Sequence, residues 1–109
     1  MSIFGVVFLM ATKVSVILPT YNERGNVTEL CKELIREIKA AGYAPEIVIV
    51  DDNSPDGTGQ EAKKLKGEVK VIERTERGLG TAIRRGIKES NGELIVLMDT
   101  DFSHPPKDV

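Results

Sequence analysis

Short apolar runs alternate along this chain with stretches in which apolar positions recur every three or four residues. Lys13 to Leu18 reads as a first strand stopped by Pro19, and Glu46 to Val50 as a second. Val69 to Glu73 reads as a third strand, and Glu93 to Met98 as a fourth. Between the first two, Val27, Leu30, Cys31, Leu34, Ile35, Ile38 and Ala41 keep the i, i+3, i+4, i+7 spacing of an amphipathic helix. Asn26 with Glu29 three residues on predicts its N-cap, and Gly42 its left-handed C-terminal stop. A shorter helix, capped by Thr58 with Glu61, carries Ala62 and Leu65 and closes at Gly67. A third spans Gly78 to Ser90, with Leu79, Ala82, Ile83 and Ile87 turned inward. The strands are apolar throughout rather than alternating, as expected where both faces are buried. The expected class is therefore α/β: a mostly parallel, Rossmann-like sheet with helices on both faces.

Composition narrows the function. At 109 residues, 40% apolar and 29% charged, the chain has the make-up of one small globular domain. A net charge of −2 and an aromatic content of 5% argue against nucleic acid as a partner. The single Cys31 excludes an internal disulfide, fits a reducing compartment, and falls on the apolar helix face as a small buried hydrophobe. Residues 1–12 form an apolar extension too short to span a bilayer and without the basic start of a secretory signal. It is expected to be an added strand, a membrane-touching tail, or a leader ahead of a start near Met10. Residues 13–109 form the domain proper.

In a parallel sheet every strand leaves by one edge, and ligands bind outside those carboxyl ends. The residues following the strands are Pro19-Thr20-Tyr21-Asn22-Glu23, Asp51-Asp52-Asn53-Ser54, Arg74-Thr75-Glu76-Arg77 and Asp99-Thr100-Asp101. Two carboxylates at i and i+2 on a turn, as at Asp99 and Asp101, can reach one divalent cation, and Mg²⁺ prefers one or two carboxylates plus phosphate oxygens. Tyr21 offers a face to a base; Glu23 and Asp52 can accept from ring N–H groups or ribose hydroxyls. The complement is a nucleoside diphosphate carried on a metal. Asp51 is also readable as the acceptor of an Asx-turn, Asp56 as a cap of the second helix, His104 as a loop-ordering group, and the arginines as wetted surface. Gly78-Leu79-Gly80 starts like a dinucleotide fingerprint but carries Ile83 where the third small residue belongs, and no P-loop is present.

Four segments together resemble a known family: Val16 to Glu23, Val50 to Thr58, Gly78 to Ala82 and Met98 to Pro106. They are similar to the inverting family 2 glycosyltransferases of GT-A fold, and most of all to the dolichol-phosphate (polyprenyl-phosphate) mannose synthases. The resemblance implies transfer of mannose from GDP-mannose to a dolichyl or polyprenyl phosphate with Mg²⁺ or Mn²⁺. It implies that Pro19, Tyr21, Glu23, Val50 and Asp52 contact the nucleoside. Asp99, Thr100 and Asp101 would meet the sugar diphosphate, with Asp99 and Asp101 as catalytic metal ligands. Ser103 stands where some relatives place a further ligand. It also implies work at the cytoplasmic face of a membrane, or in the cytoplasm.

Two alternatives stay open on the residues alone: another family 2 enzyme using a UDP-sugar, and a non-catalytic, Mg²⁺-binding receiver-like domain. The chain is expected to be an inactive N-terminal part of a longer enzyme, able to self-associate through an exposed sheet edge.

Overall fold

The computed structural model describes residues 12–76 and 78–98. Its strands are β1 (Lys13–Thr20), β2 (Ala44–Asp51), β3 (Val69–Glu73) and β4 (Leu94–Leu97). Helix α1 (Arg24–Ala40) follows β1, α2 (Thr58–Ala62) follows β2 and α3 (Leu79–Glu89) follows β3. The strands form one sheet in the order β3-β2-β1-β4, with each neighbouring pair parallel. The apolar N-terminal extension expected up to residue 12 lies, but for Thr12, outside the described residues.

Strand periodicity divides the core in two. Val14, Val16 and Leu18 of β1, with Ile47 and Ile49 of β2, meet Val27 and Cys31 of α1 and Ala62 of α2. Leu30, Leu34, Ile35 and Ile38 pack against that cluster, so the helical stripe read from the sequence is the stripe that faces the sheet. Ile17, Val48, Val50 and Ile72 point to the opposite face and meet Ala82 of α3. The central strands β1 and β2 are therefore covered on both sides, as their unbroken apolar runs require.

Several local expectations are corrected. β1 runs through Pro19 to Thr20 instead of stopping at Leu18. Odd residues of β1 point their backbone groups toward β4, as the bond from the Met98 N–H to the Ile17 carbonyl shows. The N–H that Pro19 lacks would point the same way, beyond the last β1–β4 pair, Ile17 with Leu97. Asn26 is not the N-cap of α1: the helix starts at Arg24 with Glu23 in the cap position, and Asn26 lies in the first turn. Thr58 is the first residue of α2 rather than its cap, which is Gly57 at φ +86°. That helix ends at Ala62, short of Leu65 and Gly67. Gly42, at φ +89°, does close α1 in the left-handed region.

The third helix meets the sheet through small side chains. A Cβ on Gly86 would collide with Ile17 Cγ2 and crowd Val50, so the helix backbone lies close against the sheet along the Ala82–Gly86 line. Ile87 falls off that line and is 44% exposed, while Leu79, the first residue of the helix, is 62% exposed although it shares the face of Ala82 and Gly86; neither is inward as expected. β4 also departs from its expected burial, with Leu94 to Leu97 at 42–52% exposure. It is the outer strand of the described sheet, and α3 packs chiefly over β1 and β2.

At the amino ends of the strands a buried polar knot ties β4's approach to the sheet. The Ser15 hydroxyl donates to Glu46 Oε1 at 2.6 Å, and the Asn91 N–H donates to the same oxygen at 2.8 Å. The Gly92 N–H donates to the Ser15 hydroxyl at 2.8 Å. Burial alone would raise the Glu46 pKa, but bonds from the Asn91 N–H, the Ser15 hydroxyl and the Asn91 amide, with the Lys70 charge, outweigh it and hold the carboxyl below its usual range.

Candidate nucleotide-binding edge

All four strands leave by one edge, and the loops there are built against one another. β1 and β2 end on the register pair Thr20 with Asp51. Asp51 shares the parity of Ile49, so its side chain turns to the α1 face, where it is 1% exposed. There it accepts from the Thr20 hydroxyl at 2.7 Å, the Ser54 hydroxyl at 2.6 Å and the Ser54 N–H at 3.0 Å. This is the Asx-turn reading of Asp51, extended by a cross-strand bond.

The loop after β2 also satisfies the start of α1. A helix leaves its first N–H groups without partners in its own ladder. Here the Asn22 N–H donates to Ser54 Oγ at 2.9 Å, the Glu23 N–H to Thr58 Oγ1 at 2.9 Å, and the Arg24 N–H to Asp56 Oδ2 at 3.2 Å. Asp56 Oδ1 meanwhile accepts from the Thr58 N–H at 3.0 Å and the Thr58 hydroxyl at 2.5 Å. One carboxylate thus caps two helices, in keeping with the structural role expected of it. Burial opposes its ionisation, but the Thr58 hydroxyl and the Arg24 and Thr58 N–H groups, helped by the Arg24 charge, outweigh that and lower its pKa. Asn22 and Asn53 sit at φ +57° and +55°, in the left-handed region that asparagine tolerates better than most residues.

Asp52 takes the other parity and falls on the α3 face. β2 and β3 are in register to Asp51 with Glu73, so the next pair across the gap is Asp52 with Arg74. Arg74 Nε donates to Asp52 Oδ1 at 2.5 Å and Nη2 to Oδ2 at 3.3 Å. Arg74 Nη1 donates to Thr81 Oγ1 at 2.9 Å, and Nη2 to the Gly78 carbonyl at 2.8 Å. The Arg74 side chain is 5% exposed and that of Asp52 16%. Reading Arg74 as wetted surface is therefore wrong: register places an acid beside it, and the pair shields both charges.

The other sequence-chosen residues fall as follows. Tyr21 stands on the rim at 40% exposure, and Glu23 is half-buried at the head of α1. The Val50 side chain is fully buried beneath α3, so a ligand could meet this residue only through its backbone. Pro19 joins Leu79, Ile83, Leu97 and Met98 around an apolar concavity of about 220 Å³. The Met98 N–H bonds to the Ile17 carbonyl at 3.1 Å, so the chain leaves β4 on the edge that carries Asp52. Asp99, Thr100, Asp101, Ser103 and His104 lie outside the described residues. Among those described, no group of three or more His, Cys, Asp or Glu side chains is placed to hold a metal ion. No described helix is long and apolar enough to cross a membrane.

Comparison with known proteins agrees with this fold. A dolichol-phosphate mannosyltransferase of Pyrococcus furiosus is 50% identical over 98 residues, covering 87% of this chain and 27% of its own length. A crystal structure of mannosyl-3-phosphoglycerate synthase from Rubrobacter xylanophilus superposes with a TM-score of 0.72 at 25% identity, over 88% of this chain and 33% of that one. A mannosyltransferase from Pyrobaculum calidifontis, in complex with GDP-Man and Mn²⁺, gives 0.62 at 30% identity, over 84% and 28%. The chain thus spans about a quarter to a third of each. The sequence profile described as Glycosyl transferase family 2 matches residues 15–109, and the chain belongs to that family.

Proposed function

We propose that this chain carries the nucleotide-sugar-binding part of a glycosyltransferase that moves mannose from GDP-mannose to a dolichyl or polyprenyl phosphate at the cytoplasmic membrane surface. The observation that carries the reading is the convergence of the loops after β1 and β2 at one sheet edge, with Asp52 and Tyr21 on its rim, at the edge by which β4 also leaves. The 50% identical relative bears the name of that activity, and the Pyrobaculum enzyme holds GDP-Man with Mn²⁺.

In this reading Tyr21 stacks on the base, while Glu23 and Asp52 accept from its N–H groups or from ribose hydroxyls. Pro19 and the Val50 backbone line the nucleoside. Asp99, Thr100 and Asp101 meet the sugar diphosphate. Two carboxylates and the Ser103 hydroxyl are hard oxygen donors, a set suited to Mg²⁺ or Mn²⁺, so Asp99, Asp101 and Ser103 would hold the ion. When bound, such an ion neutralises charge on the departing GDP. The acceptor phosphate is ionised at neutral pH, so its oxygen can attack C1 as the bond from C1 to GDP breaks, with no protein base required.

Calorimetry with GDP-mannose, UDP-glucose and acetyl phosphate, each with and without Mn²⁺, tests the proposal. Mn²⁺-dependent preference for GDP-mannose, lost in Asp99→Asn and Asp101→Asn, is the expected result. A preference for UDP-glucose would move the reading to another sugar donor. Covalent phosphorylation by acetyl phosphate would replace it with the receiver-like one.

A further inference from the structure

Arg74 is the most completely engaged cation of the described residues, and it lies beside the acid assigned to the nucleoside. Four of its N–H donors are directed at Asp52, Thr81 and the Gly78 carbonyl. A guanidinium committed in this way has little left to offer a phosphate, although its position at a strand end beside a glycine-rich turn invites that role. The fork from Nε and Nη2 fixes the plane of the Asp52 carboxylate and takes one bond at each oxygen, leaving each a further lone pair with which to accept. The bonds to Gly78 and Thr81 fix the fork in turn, from the turn that opens α3. We propose that Arg74 is a positioning residue for nucleoside recognition: it aims Asp52 at the base or ribose and sets that aim from the Gly78–Thr81 turn, without touching the diphosphate.

The proposal rests on the nucleotide-binding reading above, and the test separates the two. The full chain and its Arg74→Lys, Arg74→Ala and Thr81→Val variants are titrated with guanosine, GDP and pyrophosphate in the presence of Mn²⁺, with thermal midpoints recorded in parallel. Groups that orient metal-binding side chains typically matter by about 10- to 100-fold, and an effect of that order is expected for the orientation of Asp52. Arg74→Ala should therefore weaken guanosine and GDP by a common factor of about that size and leave pyrophosphate unchanged. Lysine keeps the charge but not the fork, so Arg74→Lys should show most of the same loss. Thr81→Val should show a smaller loss in the same direction, and it stands in for Arg74→Ala if that variant does not fold. Loss confined to GDP and pyrophosphate, rescued by lysine, would make Arg74 a phosphate ligand and overturn the proposal. Unchanged guanosine binding in every variant would overturn it equally. Absence of any nucleotide binding by the unaltered chain would instead defeat the nucleotide reading on which it stands.

Discussion

Thr20 and Asp51 close the last register pair of β1 and β2 with a side-chain bond of 2.7 Å, in a site where Asp51 is 1% exposed. The two residues are 31 positions apart in sequence, so this bond joins the two rim loops at their base. Removing the carboxylate strands three donors, the Thr20 and Ser54 hydroxyls and the Ser54 N–H. A buried group left without its partner costs about 1–3 kcal/mol. Asp51→Ala should lose at least about 3 kcal/mol in urea unfolding, and Thr20→Val about 1 kcal/mol, because Asp51 then keeps its bonds from Ser54.

Glu46 makes stability depend on acid. Its pKa is lowered in the folded state from an ordinary value of 4.5. Its contribution is therefore complete above that value and disappears as pH falls through the lower, folded one. Asp56 and Glu68 are lowered as well, so the comparison must be by difference. Glu46→Gln should be less stable than the unaltered chain at pH 7, and the gap should shrink steadily below about pH 4.5 in denaturant titrations.

Gly86 sets two effects against each other. Alanine would gain up to about 1 kcal/mol of helix propensity. Its Cβ, however, would collide with Ile17 Cγ2 in a packed core, and such overpacking costs about 1–3 kcal/mol. The collision should win. Gly86→Ala should lower the thermal midpoint, and it should cost less in an Ile17→Ala background, which lacks the colliding Cγ2, than in the unaltered chain.

β4 presents consecutive half-exposed apolar residues at the edge of the described sheet. Edge strands of this kind pair with other chains unless charge or cover prevents it. Val96→Lys should therefore reduce concentration-dependent association in sedimentation velocity, with a change in unfolding free energy within about 1 kcal/mol.

Much of this arrangement was legible in the sequence, for identifiable reasons. The bounds of β3 match residue for residue, and the apolar stripe of α1 is the stripe that meets the sheet. Both rest on local periodicity, which survives without knowledge of partners. The start of α1 was misplaced because its donors find acceptors in Ser54, Asp56 and Thr58, more than thirty residues away. Arg74 was missed for a similar reason: Asp52 lies 22 residues from it, and only the parallel register makes them neighbours. That register was nonetheless within reach, since strands ending on Asp51 and Glu73 put the next two residues side by side.

The double duty of Asp56 bears on how a ligand would arrive. Because one side chain bonds the head of α1 to the head of α2, the two turns should move together under the proposed nucleoside site. Encounter there should resemble a key meeting a cut lock, with association kinetics free of a slow closing phase on the side of the base.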